Sequence, residues 1–134
     1  MWQVKPIGYV RYRKEVVAPK EVGPRDRYPF PELVEIHVDP AYREALLGAE
    51  HCSHLLVLYW LHLIPREHAW QGHRYGDPTQ PLLGSFATRS PYRPNPIGVT
   101  EVRLILRKDN ILTVAGLDAF PDTPVLDIKG ISGQ

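Results

Sequence analysis

The chain has 134 residues, 43% of them hydrophobic and 23% charged, with a net charge of +1. That length fits one domain, residues 1–134, able to bury roughly two-thirds of its unfolded surface. The near-zero net charge gives no support to a broad basic face that holds nucleic acid by itself. The single cysteine, Cys52, excludes an intramolecular disulfide. The longest apolar run, Leu55 to Leu61, is too short to span a bilayer, and no secretory leader precedes the first strand pattern. No membrane association and a cytoplasmic location are therefore expected.

Residues 4–12 alternate loosely and predict a first strand. Residues 15–31 carry Pro19, Pro24, Pro29, Pro31 and Gly23, which predicts a long loop. Leu33 to Val38 places Val34, Ile36 and Val38 on one face, the period of a strand. Asp39-Pro40 is a helix start, an N-cap acceptor followed by a first-position proline, and the helix is expected to run to about Leu47 with Gly48 as its C-cap. Leu55 to Leu61 is continuously apolar and reads as a strand buried on both faces. A second long loop covers residues 64–83. Val99 to Leu106 alternates, with Val102, Leu104 and Leu106 on one side, and a turn at Lys108-Asp109-Asn110 leads to a strand over Ile111 to Leu117. A last strand covers Thr123 to Lys129. The expected fold is mainly β: a small β-barrel with one or two flanking helices and long Pro-rich loops.

Residues 84–98 read Gly-Ser-Phe-Ala-Thr-Arg-Ser-Pro-Tyr-Arg-Pro-Asn-Pro-Ile-Gly. Pro91, Pro94 and Pro96 fix φ and push Ser90, Arg93 and Asn95 out of the helical region. The result is an irregular but stiff loop whose guanidiniums and short polar side chains suit a carboxylate or phosphate. The plainer alternative is a proline-rich surface turn.

This segment resembles the signature of the TsaA family, also called the TrmO family. Further matching blocks occur in the expected order: Pro6-Ile7-Gly8, Ser53-His54-Leu55 opening the run that ends at His62, Gly116-Leu117-Asp118-Ala119-Phe120, and Thr123-Pro124-Val125-Leu126-Asp127-Ile128-Lys129. The resemblance implies an S-adenosylmethionine-dependent methyltransferase built on a β-barrel. Family members methylate the exocyclic amine of N6-threonylcarbamoyladenosine at tRNA position 37, beside the anticodon, and assemble as homodimers with S-adenosylmethionine near the subunit interface. The sequence has no G-x-G-x-x-G turn, so a cofactor of this kind must be held by loops.

The resemblance implies that Arg89, His62, Leu117 and Asp118, with Ala119 and Phe120, lie at or near the cofactor. By chemistry, Arg89 suits its carboxylate or an RNA phosphate, and Asp118 or Asp127 its ammonium or ribose hydroxyls. Leu117 and Phe86 suit the faces of its adenine, with core packing the alternative for Leu117 and Phe120. The acceptor amine is a poor nucleophile, so a proton acceptor is expected. Asp127 is the candidate catalytic base, with Lys129 or Arg93 as electrostatic partner, because residues two apart on a strand share a face. A structural ion pair is the alternative. Tyr92, Tyr75, Trp70 and Tyr59 are candidate stacking platforms for an anticodon-loop base; Tyr59 reads as core, and Tyr92, between the loop arginines, is favoured, with Arg93 and Asn95 beside it as tRNA contacts. His51 and His54 lack the H-E-x-x-H spacing, and no metal is expected.

The sequence departs from the family pattern in three places. Cys52 replaces an aromatic before Ser-His, Gly130-Ile131 replaces Pro-Tyr after Asp-Ile-Lys, and the C-terminal domain of longer bacterial members is not included. Two alternatives therefore stand beside the tRNA enzyme: a methyltransferase acting on a small molecule, and a non-catalytic S-adenosylmethionine-binding module.

Overall fold

Short alternating segments rich in β-formers build eight strands in the computed structural model, which describes residues 1–13, 29–65 and 69–132. In chain order they are β1 (Gly8–Arg11), β2 (Leu33–Val38), β3 (Cys52–Trp60), β4 (Gln71–His73), β5 (Leu82–Gly84), β6 (Ile97–Lys108), β7 (Ile111–Ala115) and β8 (Pro124–Ser132). Six of them close into a barrel in the order β1-β2-β7-β6-β3-β8, and every pairing is antiparallel. Closure leaves the barrel without a free edge. Strands β4 and β5 form a separate two-stranded sheet within the expected 64–83 loop. The loop expected over 15–31 lies mostly outside the described residues.

Inward side chains from each wall fill the barrel. Val10, Val34, Ile36, Leu55, Val57, Val102, Leu112, Val114 and Val125 are all essentially inaccessible to solvent. Burying each one is worth about 1.5–3 kcal/mol relative to exposure. The alternation predicted for β2 is observed, with Val34, Ile36 and Val38 inside.

Three expectations change. Strand β3 is buried on one face only: Leu55, Val57 and Tyr59 point inward while Leu56 and Leu58 are half-buried on the outer wall. Its unbroken apolar run hides an ordinary two-residue period. In β6 the register shifts between Leu104 and Leu106, so Ile105 is an extra residue and Leu106 turns outward, 54% exposed. The helix after Asp39 is a 3-10 segment, Pro40–Leu46, with a kink at Tyr42. Asp39 caps it by accepting from the Ala41 N–H at 3.0 Å, as its sequence predicts. The segment buries only Leu46, so no apolar stripe holds successive α-helical turns against the barrel. Gly48 follows at φ 83° and turns the chain into a second 3-10 segment, Ala49–His51.

Candidate functional site

Antiparallel pairing brings the end of β3, the start of β6, the end of β7 and the start of β8 to one mouth of the barrel. A cleft of about 960 Å³ opens there, within the usual range for small-molecule sites.

The segment after β7 forms one wall. Gly116, at φ 91°, turns the chain out of the strand, a conformation open to glycine without strain. Leu117 and Ala119 are then buried, while Asp118 and Phe120 line the cleft. Tyr12 donates its hydroxyl to the Ala119 carbonyl at 2.7 Å, and burial pushes the Tyr12 pKa up to about 12. Thr123 donates its hydroxyl to the Phe120 carbonyl at 2.7 Å. Phe30, also in the lining, packs against Phe120 with ring centroids 5.0 Å apart and tilted by 59°.

The Pro-rich loop forms the facing wall, and its own polar groups tie it together. Arg93 donates to the Thr88 carbonyl at 3.0 Å and to the Ser90 carbonyl at 3.1 Å. The Thr88 hydroxyl accepts from the Ser90 N–H at 3.1 Å, and the Ser90 hydroxyl from the Tyr92 N–H at 3.2 Å. The buried Ser85 hydroxyl bonds the Tyr92 carbonyl. Leu61, just past β3, donates its N–H to the Pro96 carbonyl at 2.7 Å, which joins the loop to the barrel. The Arg89 guanidinium reaches across to donate to the Val99 carbonyl on β6.

A polar triad stands between these walls. The Tyr59 hydroxyl lies 2.9 Å from the Thr100 hydroxyl and 3.2 Å from Asp118 Oδ1, and Thr100 donates to the same Oδ1 at 2.9 Å. Tyr59 is 5% exposed and its ring covers Gly98, its cross-strand partner. A Cβ at Gly98 would stand 2.6 Å from the ring. Burial pushes the Tyr59 pKa up to about 12; the Thr100 hydroxyl opposes the rise, the Asp118 charge reinforces it, and Arg89 opposes it. Arg89, held on the Val99 carbonyl next to Thr100, and Asp118 line the same cleft. At the rim, desolvation lowers the His62 pKa, partly offset by a hydrogen bond to the Trp60 carbonyl and by the Asp122 charge.

Of the residues singled out from sequence, His62, Arg89, Arg93, Asp118, Ala119 and Phe120 line the cleft. Leu117 is 1% exposed and belongs to the core. Phe86 is 81% exposed outside the lining, with the Arg93 guanidinium 5.9 Å from its ring centre. Tyr92 and Asn95 sit in the loop but outside the lining. Asp127 and Lys129 do share a strand face, and they pair at 2.7 Å. That face is the outer wall: the β3–β8 register slips between Leu58 and Tyr59, so Tyr59 faces the buried Val125 while the outward Leu58 faces Asp127. Neither member of the pair lines the cleft. Among the described residues no three His, Cys, Asp or Glu side chains cluster as a metal site, and no helix is long and apolar enough to cross a membrane.

Phe30 and Thr100 carry no assignment from sequence, and Tyr59, a possible stacking platform there, reads as core. Tyr59 is masked by its apolar strand. The available signal was on β6, where Gly98, Thr100 and Val102 share one face, a glycine and a hydroxyl leading into the core.

Residues 14–133 match the family described as the tRNA-methyltransferase O N-terminal domain. A probable S-adenosyl-L-methionine-binding protein of Methanothermobacter thermautotrophicus is 40% identical over 129 residues, covering 95% of this chain and 88% of that protein. One of the same description from Archaeoglobus fulgidus is 39% identical over 97% of this chain but only 34% of its own length. A crystal structure of TrmO from Pseudomonas aeruginosa superposes with a TM-score of 0.65 at 32% identity, over 98% of this chain and 56% of that one. A further TrmO crystal structure gives a TM-score of 0.67 at 30% identity, over 57% of that chain. The chain thus spans little more than half of the TrmO chains it matches. With a match running from residue 14 to residue 133 and relatives at 39–40% identity, the chain belongs to the tRNA-methyltransferase O N-terminal domain family.

Proposed function

We propose that this chain is an S-adenosylmethionine-dependent methyltransferase that acts on tRNA, with the N6 amine of N6-threonylcarbamoyladenosine at position 37 as its target. The observation that carries the reading is a cleft lined by Arg89 and by Asp118, the latter held by the Tyr59 and Thr100 hydroxyls, and walled by Phe30 and Phe120. That set of groups fits the cofactor: a guanidinium for its carboxylate, a carboxylate for its ammonium or ribose hydroxyls, and aromatic faces for its adenine. When bound, S-adenosylmethionine supplies a methyl carbon made electrophilic by the sulfonium. The chain contributes binding and orientation. Arg89 is anchored on the Val99 carbonyl, the Ala119 and Phe120 carbonyls are held by Tyr12 and Thr123, and desolvation favours a neutral His62 at the rim.

Family membership and the TrmO structures support tRNA as the acceptor. On this reading Asn95 and Tyr92 are loop contacts to the anticodon region, and Arg93 acts by bracing the loop. Asp127 and Lys129 are left as an outer-wall ion pair. The exposed apolar Trp60, Ile97 and Val99 at the rim give a second copy of the chain a surface to cover, which supports a homodimer.

One observation favours a second reading, cofactor binding without RNA. Arg11, Arg13, Arg43 and Arg107 each face a carboxylate, at 2.6, 3.8, 3.0 and 2.8 Å, which reduces the basic surface left for phosphates. The test is transfer of labelled methyl from S-adenosylmethionine to tRNA from cells with and without the threonylcarbamoyl modification. Label in the modified pool alone is expected. Cofactor binding with no label in either pool would favour the second reading.

A further inference from the structure

We propose that Tyr59 and Thr100 are positioning residues that fix the Asp118 carboxylate as acceptor for the ammonium of the S-adenosylmethionine amino-acid group. The inference rests on the cofactor reading above. Two hydroxyls converge on one carboxylate oxygen, Oδ1, at 3.2 and 2.9 Å. The two hydroxyls supply two protons. Thr100 gives its proton to Oδ1, and Tyr59 gives its own to Thr100 at 2.9 Å or to Oδ1 directly. Either way the proton order runs from the buried ring toward the anion.

The relay has a rigid base. Tyr59 is buried in the barrel, its ring is seated on Gly98, and Thr100 stands two residues along the same face of β6. Asp118 is exposed at the cleft and follows the buried Leu117. An exposed aspartate ordinarily loses rotamer freedom when a ligand arrives; here two hydrogen bonds restrict it beforehand. Among the described residues both hydrogen bonds to the Asp118 side chain land on Oδ1, which leaves Oδ2 for a ligand. The choice of the ammonium over the ribose hydroxyls follows from Arg89, which lines the same cleft and is held on the Val99 carbonyl, next to Thr100. A guanidinium and a carboxylate lining one cleft complement a zwitterionic amino-acid group, which carries both charges on one carbon.

The test is calorimetric titration with S-adenosylmethionine and with 5′-methylthioadenosine, which keeps the ribose and adenine but lacks the amino-acid group. Tyr59→Phe and Thr100→Val should each weaken S-adenosylmethionine binding about tenfold, the size expected for a lost hydrogen bond to a charged group. Each should leave methylthioadenosine within about twofold. Thr100→Ser, which keeps the hydroxyl, should restore affinity. In an Asp118→Asn background, Tyr59→Phe should cost little further, because the relay then has no anion to hold. Equal weakening of both ligands, or an undiminished Tyr59→Phe effect beside Asp118→Asn, would overturn the proposal and leave Tyr59 as packing alone. Wild-type binding with unaltered variants would overturn it while sparing the cofactor reading. A wild-type chain that binds neither ligand would overturn both. If Tyr59→Phe lowers the melting temperature, the Thr100→Val and Thr100→Ser pair decides.

Discussion

Gly98→Ala is a sharp probe of the cleft floor, because the new methyl points at the Tyr59 ring. The added carbon would lie 2.6 Å from Cε2, 2.7 Å from Cζ and 3.1 Å from the hydroxyl oxygen. An ordinary carbon contact needs about 3.5 Å, so the ring must retreat by about 0.9 Å or the strands must part by that much. The ring is 5% exposed and its hydroxyl sits 2.9 Å from Thr100, so a retreat of that size breaks the hydrogen bond. Overpacking of this kind costs about 1–3 kcal/mol. Replacing a strand glycine returns about 0.5–1 kcal/mol of backbone entropy. The net loss is about 0.5–2 kcal/mol, read as a fall of about 2–8 °C in melting temperature for a domain of this size. Urea denaturation and thermal unfolding measure it. Tyr59→Leu removes the ring, so Gly98→Ala made in that background should lose most of its cost. A Gly98→Ala chain as stable as wild type would refute the placement of the ring over Gly98.

Tyr12 and Tyr59 should ionise last in an ultraviolet titration, near pH 12. Their raised pKa values mean that the folded chain keeps protons that the unfolded chain releases near pH 10, so stability should fall between about pH 10 and 12, and Tyr59→Phe should remove one late proton. The His62 pKa is lowered from 6.5, so the unfolded chain binds that proton first. Stability is then full above about pH 6.5 and falls as the pH drops below it; His62→Gln should flatten that acid limb in denaturant titrations. Leu117→Ala, at a side chain 1% exposed, should cost about 2–5 kcal/mol in urea denaturation, whereas a side chain that only flanked a ligand would cost little. Arg93→Ala removes two hydrogen bonds to loop carbonyls and should destabilise by about 1–2 kcal/mol; unchanged stability would return Arg93 to a purely ligand-facing role.

The barrel was legible because its strands carry their own period: Val34, Ile36 and Val38 point inward as the alternation of β2 requires. The Asp118–Phe120 segment and Arg89 were legible through the family pattern, and both line the cleft. What escaped were local breaks in period. The extra residue at Ile105 turns Leu106 outward, and the slip opposite Leu58 and Tyr59 turns Asp127 and Lys129 to the outer wall. A bulge depends on how two distant segments pair, and neither segment announces it alone. Tyr59 escaped for a related reason. Within a run of leucines it reads as core, and only its partner Gly98 and the Asp118 segment, 59 residues away, reveal that its hydroxyl opens onto a cleft.

The decisive measurement is a crystal structure of the chain grown with S-adenosylhomocysteine. The ligand should lie in this cleft, with its amino-acid group between Arg89 and Asp118 and its adenine against Phe30 or Phe120. Ligand bound elsewhere on the barrel, with Arg89 and Asp118 untouched, would contradict the cofactor reading.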